Sequence, residues 1–378
     1  MTPRERLTTV LKGGIPDCVP VAPDFSNMIP AKLTGRPFWD LYLYQRIPIW
    51  EAYIRCARYF DIDAVMDGYF PLSFPEENGD PTPWETFIVS RSQTRLVTQR
   101  SYLDGGKRIW APTVSVYHVA DSPAHHVKPA TVHLPDVPER FEPLEGVQPV
   151  DRGPEGLKRV KALMGDQGLV GVSAASTAAL GTEEAIYDYY DHPELHETWA
   201  AERVERAEKR IARILAMEVK PDFLCVGGSG TLVYQSVEIF RQLALPAVKR
   251  AIELATAAGL PTHVHSCGPE AALVKIMAEE TGLTVIDPLE VHASHGDCVL
   301  KDLKKAFGHK LTLKGNLHTT DVMLRGTVED VRRESRRAID DAKEGGRFIL
   351  STGDQCGRDT PFENLFAMVE TARTYGRY

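Results

Sequence analysis

Residues 261–290 have the sequence PTHVHSCGPEAALVKIMAEETGLTVIDPLE. Two short apolar runs, 261–267 and 284–290, enclose a segment at about 269–281 that is predicted to be a helix. Near-continuous apolar runs are typical of parallel strands that are covered on both faces of a sheet. The stretch therefore predicts a strand, a helix and a second strand parallel to the first.

The same alternation extends over most of the chain in both directions. Further buried-type runs occupy 19–24, 63–70, 168–176, 222–228, 310–318 and 347–354. Predicted helices lie at about 182–217, 234–258, 298–307, 327–344 and 361–375. Eight strands alternating with helices predict the α/β class and a (β/α)8 TIM barrel, with residues 1–378 as a single domain. A doubly wound open sheet is the alternative, but no glycine-rich dinucleotide fingerprint follows the first strand.

Residues 80–150 interrupt this alternation. Two β-rich runs in this segment are joined by LDGGK at 103–107, and an Asp-Gly-Gly turn between such runs predicts a β-hairpin. A stretch rich in proline and histidine follows and is predicted to be a loop. The segment is therefore interpreted as an insertion after strand 2, made of a hairpin plus a loop, near the face where a barrel carries its active site.

The composition is that of an ordinary globular protein. Of 378 residues, 43% are hydrophobic and 25% are charged, and the net charge is −8, which argues against nucleic acid as a partner. No run approaches the roughly 20 apolar residues that span a bilayer. The N-terminal residues show no signal-peptide pattern, so we expect a cytoplasmic protein that does not insert into membranes. Six scattered cysteines do not suggest a disulfide scaffold.

The ends of predicted strands 5 and 8 carry a candidate metal site. Alternate residues of a strand point the same way, so His263, His265 and Cys267 share a face. Strands 5 and 8 lie opposite each other across a barrel mouth, which brings Cys356 toward His265 and Cys267. Imidazole and thiolate are zinc ligands, and three of them leave a fourth position open, as in catalytic zinc sites. Each of these residues alone is more often a buried core residue than a ligand.

Polar residues at other strand ends are candidates for the reaction itself. Glu290 and Asp67 are predicted to be catalytic, with Glu290 either a fourth zinc ligand, a general base or a substrate contact. Asn316, His318 and Tyr69 are predicted to bind substrate. Each of these side chains has the alternative role of capping a helix or holding a loop.

The remaining histidines and cysteines are assigned weaker roles. His263 is interpreted as a support for the site rather than a ligand, and His292 with His295 has the spacing of a second metal pair. His125 and His126 are expected to be exposed. Core packing is expected for Cys18, Cys56 and Cys225, and a structural role for Cys298.

Four motifs together resemble the uroporphyrinogen decarboxylase superfamily. They are HSCG at 265–268, PLE at 288–290, KLTLKGNLHTTDVMLRGT at 310–327 and GGRFILSTGDQCGRDTPFEN at 345–364. The likeness covers nearly the whole chain and is strongest from about 220 to 375. Within that superfamily the chain resembles the corrinoid-dependent methyltransferases, whose zinc ligands are a His-x-Cys pair and a distant cysteine. The resemblance thus implies a bound Zn²⁺ and a partner protein that carries a corrinoid (cobalamin).

The resemblance implies methyl transfer between a small molecule and the cobalt of the corrinoid protein. Aromatic residues (Trp50, Tyr69, Phe70 and Trp84) favour a methoxylated aromatic substrate and O-demethylation, although they equally suit a core or a homodimer contact. Methyl transfer from the corrinoid to a thiol is the alternative. A uroporphyrinogen decarboxylase-type reaction is less favoured because the segment 21–35 lacks the arginine cluster that would bind porphyrin carboxylates. A third hypothesis is a barrel that binds a corrinoid or porphyrin without catalysis.

Overall fold

The computed structural model describes residues 1–75, 81–291 and 295–378. Within them the chain forms these β-strands: β1 (Ala64–Met66), β2 (Glu85–Arg91), β3 (Arg95–Asp104), β4 (Lys107–His118), β5 (Ala124–Val127), β6 (Glu142–Pro143), β7 (Gly168–Ser173), β8 (Phe223–Cys225), β9 (Thr262–His265), β10 (Val285–Asp287), β11 (Thr312–Leu317) and β12 (Phe348–Thr352).

The α-helices of the same residues alternate with the strands from β7 onward. They are α1 (Pro3–Leu11), α2 (Met28–Leu33), α3 (Trp39–Tyr42), α4 (Ile49–Phe60), α5 (Pro154–Met164), α6 (Glu183–Asp191), α7 (His196–Ala216), α8 (Thr231–Tyr234), α9 (Val237–Ile239), α10 (Leu245–Ala257), α11 (Ala271–Glu280), α12 (Leu300–Phe307), α13 (Val328–Ala342) and α14 (Phe362–Thr374).

Seven strands form one parallel sheet, which confirms the α/β class. Their order is β1-β7-β8-β9-β10-β11-β12, so each strand pairs with the next one of the sheet along the chain. In the β9–β10 register, Asp287 pairs with His265. The main core lies against this sheet, and its largest fully buried side chains include Phe25, Phe60, Phe240 and Phe348.

The first of the eight predicted strands, at 19–24, is not formed, so this prediction is wrong. The segment makes only an isolated parallel bridge between Val21 and Leu350. Pro20 and Pro23 have no N–H to donate, so a continuous ladder cannot form along this stretch. The sheet that the structure describes therefore has seven strands.

The segment nevertheless connects the two edges of the sheet. Ala22 N–H donates to the Leu350 carbonyl at 2.9 Å, and Leu350 N–H donates to the Pro20 carbonyl at 2.9 Å. On the other side, Asp63 N–H donates to the Val21 carbonyl at 2.8 Å, directly before β1. Both edges thus meet the same short segment, so the sheet is curled.

Two helix predictions illustrate local control of the helix ends. α13, within the helix predicted at 327–344, begins at a capping box in which Thr327 and Asp330 each satisfy the other's backbone N–H. The helix predicted over 182–217 is instead divided between α6 and α7. Pro193 lies at the break and follows His192, whose φ of −126° is not helical. Proline disfavours a helical conformation in the residue before it, which accounts for the interruption.

The chain between β1 and β7 contains a second sheet. Its five strands are antiparallel in the order β5-β4-β3-β2-β6, and β3 joins β4 through Gly105 and Gly106, both at positive φ. This sheet contacts the rest of the molecule where Phe38 N–H donates to the Val119 carbonyl at 2.9 Å. Arg358 donates to the Ala120 carbonyl at 2.7 Å, which places this sheet beside the loop that follows β12.

Candidate metal centre

A cavity of about 290 Å³ lies at the C-terminal end of the parallel strands. Its lining draws on the segment at 22–27 and on the ends of successive strands, which is where barrel-like sheets carry their sites. The polar side chains that line it are those of Asp24, Ser26, Asn27, Tyr53, Asp67, Tyr69, Ser173, Cys225, Ser229, His265, Asp287, Lys314 and Gln355.

Asp287 occupies the centre of a buried charge network beneath this cavity. Its Oδ1 lies 3.0 Å from Nδ1 of His265 and 3.1 Å from Nε2 of His263. Its Oδ2 accepts a hydrogen bond from Nζ of Lys314. One carboxylate therefore fixes the positions of two histidines and a lysine.

Burial and charge oppose each other in this network. Burial by itself would raise the pKa of Asp287, but the positive charges of Lys314, His263 and His265 hold that pKa well below its ordinary value. Burial would likewise lower the pKa of His263, yet the carboxylates of Asp287 and Asp67 raise it to about 9. The network thus favours an ionised carboxylate at its centre.

His265, Cys267 and Asp354 bring three metal-binding atoms within 4.8 Å of one another. Nδ1 of His265 is occupied by Asp287, so Nε2 faces this group and lies 3.9 Å from Oδ1 of Asp354. That Asp354 oxygen is buried and has no hydrogen-bond partner. Nitrogen, sulfur and oxygen donors around an unsatisfied oxygen suit zinc, so these residues fit the predicted ion.

Cys356 is fully buried, and its thiol does not belong to that group of three. Its backbone N–H donates to the Asp24 carbonyl at 2.8 Å, and its carbonyl accepts from Ser26 Oγ at 3.3 Å. Burial, and then the charge of Asp24, raise the pKa of the Cys356 thiol to about 12. Asp354, on the same loop, supplies the third donor in the structure. The role of Cys356 as a third ligand stays a prediction.

Two buried glutamates hold the turns around the centre. Oε2 of Glu290 accepts the N–H of Gly268, next to Cys267, at 2.7 Å. Gly268 has a φ of +90°, and a Cβ there would meet Val233 at 2.4 Å, so the turn requires glycine. Oε2 of Glu270 accepts the N–H of Leu289 at 2.8 Å. Glu290 thus supports the loop of Cys267, and its predicted catalytic role stays a prediction.

Asp67 and Cys225 line the cavity and form a second group with His263. Nδ1 of His263 lies 2.8 Å from Oδ2 of Asp67. Asp67 thus lies at the cavity, and its predicted catalytic role stays a prediction, while Cys225, which was expected only to pack in the core, lines the cavity as well.

The three predicted substrate-binding residues take different positions. Tyr69 lines the cavity, with its hydroxyl donating to the Ser26 carbonyl at 2.6 Å. Asn316 is 1% exposed and donates to the Leu289 carbonyl at 3.1 Å. His318 accepts through Nδ1 from the N–H groups of Thr320 and Asp321, and so caps the helical turn that follows β11. Of the three, Tyr69 alone is among the described residues that line the cavity.

The aromatic residues considered for a substrate pocket mostly lie elsewhere. Trp50 packs edge-on against Phe70 in the core, and Trp84 packs against Tyr102 of the antiparallel sheet. The aromatic lining that the structure describes is instead Tyr69 together with Tyr53, whose ring centroids are 4.5 Å apart.

Three of the weaker histidine candidates lie on the surface of the protein. His125 and His126 are exposed, as predicted, and His295 is exposed as well. His292 lies outside the described residues, so the predicted second pair is not tested.

The main residues that the sequence reasoning missed are Asp287, Lys314 and Asp354. Two features of the sequence could have indicated Lys314 and Asp287. A lysine in the middle of an apolar strand is rarely buried without a carboxylate partner, which points to an acid on a neighbouring strand. Asp287 stands at the end of the predicted strand next to that of His265, where parallel strands bring their ends together.

A search for relatives gives one family match. Residues 189–375 match the family model described as uroporphyrinogen decarboxylase (URO-D). Methylcobamide:CoM methyltransferase MtbA of Methanosarcina mazei is 31% identical over 140 residues, covering 36% of this chain and 37% of that protein. Methylcobamide:CoM methyltransferase MtaA of Methanosarcina barkeri is 29% identical over 114 residues, covering 30% and 31% respectively. The chain thus spans about a third of the length of these curated relatives.

A solved structure shares the fold over its whole length. It is a methyltransferase from Methanosarcina mazei, with a TM-score of 0.63, 18% sequence identity and 99% of both chains covered. No helix in the described part of this chain is long and apolar enough to cross a membrane.

Proposed function

We propose that this chain, which belongs to the uroporphyrinogen decarboxylase superfamily and groups there with the methylcobamide:CoM methyltransferases, is a corrinoid-dependent methyltransferase. It would move a methyl group between a small molecule and the cobalt of a corrinoid protein. The observation that carries the proposal is the group of His265, Cys267 and Asp354, with His265 oriented by a buried carboxylate.

The metal that we propose for this group is zinc. His265 and Cys267 would hold it, together with either Cys356 or Asp354 from the loop after β12. When bound, zinc supplies a Lewis acid that favours the negatively charged form of a sulfur or oxygen atom.

The surrounding side chains support this role through their contacts. Asp287 accepts from Nδ1 of His265 and so keeps Nε2 available as a donor atom. Lys314 neutralises the second oxygen of Asp287. Glu290 holds the backbone next to Cys267, which limits the freedom of the thiol.

The lining of the cavity argues against a porphyrinogen substrate. Asp24 and Asp67 line it, its lysine, Lys314, is paired with Asp287, and no arginine lines it among the described residues. A substrate with many carboxylates would be repelled by these side chains, because like charges at short range are unfavourable. Methyl transfer is therefore favoured over decarboxylation.

Two substrate classes are supported by different observations. The paired rings of Tyr53 and Tyr69 present an aromatic surface to the cavity, which suits a methoxylated aromatic compound and O-demethylation. The names of the relatives favour a thiol acceptor as the second candidate, because those proteins are methylcobamide:CoM methyltransferases.

The antiparallel sheet lies beside the loop that carries Asp354 and Cys356. It lies within the predicted insertion at 80–150, and Ala120 accepts from Arg358, two residues after Cys356. The segment at 19–24, which hydrogen-bonds both edges of the parallel sheet, supports closure of that sheet into a barrel-like mouth. A corrinoid protein would approach this mouth.

The test is to mix the zinc-loaded protein with a cobalt(I) corrinoid protein and a panel of methoxyaromatics, alcohols and methylated thiols. Methylation of cobalt, followed by its absorbance spectrum, should occur with one substrate class. With methylated corrinoid protein and free thiols, the reverse change would identify a thiol acceptor. No spectral change with any partner would contradict the proposal.

Variants of the cysteines identify the ligand set. We expect Cys267→Ser to reduce the rate more than about 100-fold, since loss of an outer partner of a metal ligand alone costs 10–100-fold. Cys18→Ser, at the opposite end of the sheet, is the matched control and should keep its rate. Comparison of the zinc content of Cys356→Ser and Asp354→Asn then shows which of the two residues is the third ligand.

A further inference from the structure

Asp67, Cys225 and His263 form a cluster that the proposed reaction does not use. Their donor atoms lie within 4.8 Å of one another, as do those of the first group. The residues come from three strands of one half of the sheet: Asp67 follows β1, Cys225 ends β8 and His263 is in β9. Asp67 and Cys225 line the cavity, so an ion could enter from solvent.

The two clusters are arranged around the same atom. Oδ1 of Asp287 lies 3.0 Å from Nδ1 of His265 and 3.1 Å from Nε2 of His263. Each histidine therefore turns one nitrogen toward this shared carboxylate and leaves its other nitrogen for its own group. A carboxylate behind a histidine is the usual arrangement around a metal-bound imidazole.

The contacts of His263 are incomplete without a ligand. The residue is 2% exposed, and neither ring nitrogen makes a hydrogen bond of acceptable geometry, although carboxylate oxygens lie 2.8 and 3.1 Å away. Buried polar atoms nearly always make a hydrogen bond. Ring nitrogens that lie close to a carboxylate oxygen without hydrogen-bond geometry therefore need another partner. A cation between Nδ1 and Oδ2 of Asp67 would provide one.

We propose that Asp67, Cys225 and His263 form a second binding site for a zinc-type divalent cation. The donor set of one carboxylate oxygen, one thiolate and one imidazole nitrogen is that of a zinc site with a fourth position open. That position faces the cavity, because two of the three ligands line it. The chain would then hold two ions, and Asp287 would orient one histidine ligand of each.

This inference goes beyond the proposed function and does not rest on it. Methyl transfer requires only the group that contains Cys267. The second site makes its own claim about metal stoichiometry, and its ligands belong to a separate group.

The experiment is a titration of the metal-free, full-length protein with Zn²⁺ and with Co²⁺. Co²⁺ bound to a thiolate gives a charge-transfer band in the near ultraviolet, which reports each cysteine ligand. We expect two equivalents for the unmodified protein, and one each for Cys225→Ser and Cys267→Ser. The double variant should bind none, and Cys18→Ser, the control, should bind two.

Asp67→Asn provides a second route if Cys225→Ser fails to fold, as checked by circular dichroism. It should weaken one of the two equivalents at least tenfold and leave the other unchanged. A single equivalent in the unmodified protein, unaltered by Cys225→Ser or Asp67→Asn, would overturn the inference and leave His263 as a protonated bridge between two carboxylates. Loss of the Cys267-dependent equivalent alone would count against the proposed function and not against this site.

Discussion

The parallel sheet carries a buried carboxylate at each end, and the two are surrounded in similar ways. Asp63, directly before β1, is 0% exposed, and Asp287, at the end of β10, is 1% exposed. Asp63 accepts from Arg6 at 2.5 Å, from Arg373 at 2.7 Å and from the N–H of Val21 at 2.8 Å. Each carboxylate therefore has three donors around it.

The two carboxylates differ in the side chains that surround them. Those of Asp63 are arginines from α1 and α14, which stay protonated and hold the two ends of the chain against the sheet. Those of Asp287 are Lys314 and two histidines, each of which keeps one nitrogen for another group. A buried carboxylate thus stabilises the fold where its partners are arginines, and it orients the side chains of a binding site where its partners are histidines.

Asp63→Asn should have the largest effect, and it should act on stability. The variant deprives two arginines of their negatively charged partner. Breaking a buried ion pair lowers the free energy of unfolding by about 3–5 kcal/mol. Urea unfolding followed by circular dichroism measures this loss. Asp61→Asn is the matched control, because Asp61 is exposed and its positive φ suits asparagine. Equal stability of the two variants would show that Asp63 is not a structural centre.

Asp287→Asn should weaken metal binding in addition to its effect on stability. Without the charge of Asp287, His265 loses its orienting partner, and such losses weaken metal affinity by about 10–100-fold. Competition for Zn²⁺ against a chelating dye measures the change. Folded Asp63→Asn should keep its affinity in the same assay. If the two variants bind Zn²⁺ equally well, the functional difference between the two carboxylates disappears.

Lys314→Met by itself should have a smaller effect than Asp287→Asn, because the two histidines remain beside Asp287. The substitution is most informative when it is combined with Asp287→Asn. Asp287→Asn leaves a buried ammonium without its carboxylate, and adding Lys314→Met removes that charge. We therefore expect the double variant to be more stable than Asp287→Asn, with a coupling free energy on the order of 1–3 kcal/mol in urea unfolding. Strict additivity of the two changes would contradict the ion pair.

Replacement of Asp17 should have the smallest effect, which is a change in how the stability of the fold depends on pH. The hydrogen bond from Arg6 is the main reason that the pKa of Asp17 lies well below its ordinary value. A lowered carboxyl pKa stabilises the fold above about pH 4, the unfolded value, and this contribution is lost as the pH falls through the folded pKa. Because the side chain is 41% exposed, the contribution should stay below about 1 kcal/mol.

Asp17→Asn removes this contribution. Thermal unfolding midpoints measured from pH 6 down to pH 2 should therefore fall less steeply for the variant than for the unmodified protein. Identical pH profiles would place Asp17 outside the network of Arg6 and Asp63.

The local pattern was sufficient for most of the fold. Seven of the eight predicted strands are present, and α13 lies within the helix predicted at 327–344. Proline accounts for two of the failures, at 19–24 and at Pro193, where a strand and a helix were extended too far. The site was predictable only in part, since His265, Cys267, Asp67 and Tyr69 lie around the cavity.

Which residues stand at the ends of strands could therefore be predicted from the sequence, because strand and helix periodicity are local properties of the chain. The His-x-Cys pair at 265–267 is of this kind. The three-dimensional fold was needed to show that Asp287 joins two histidines to Lys314, and that Asp354 lies in one group with His265 and Cys267. These relations depend on the register between strands and on the direction of each side chain in the loop after β12. Neither is encoded in the spacing of residues along one strand.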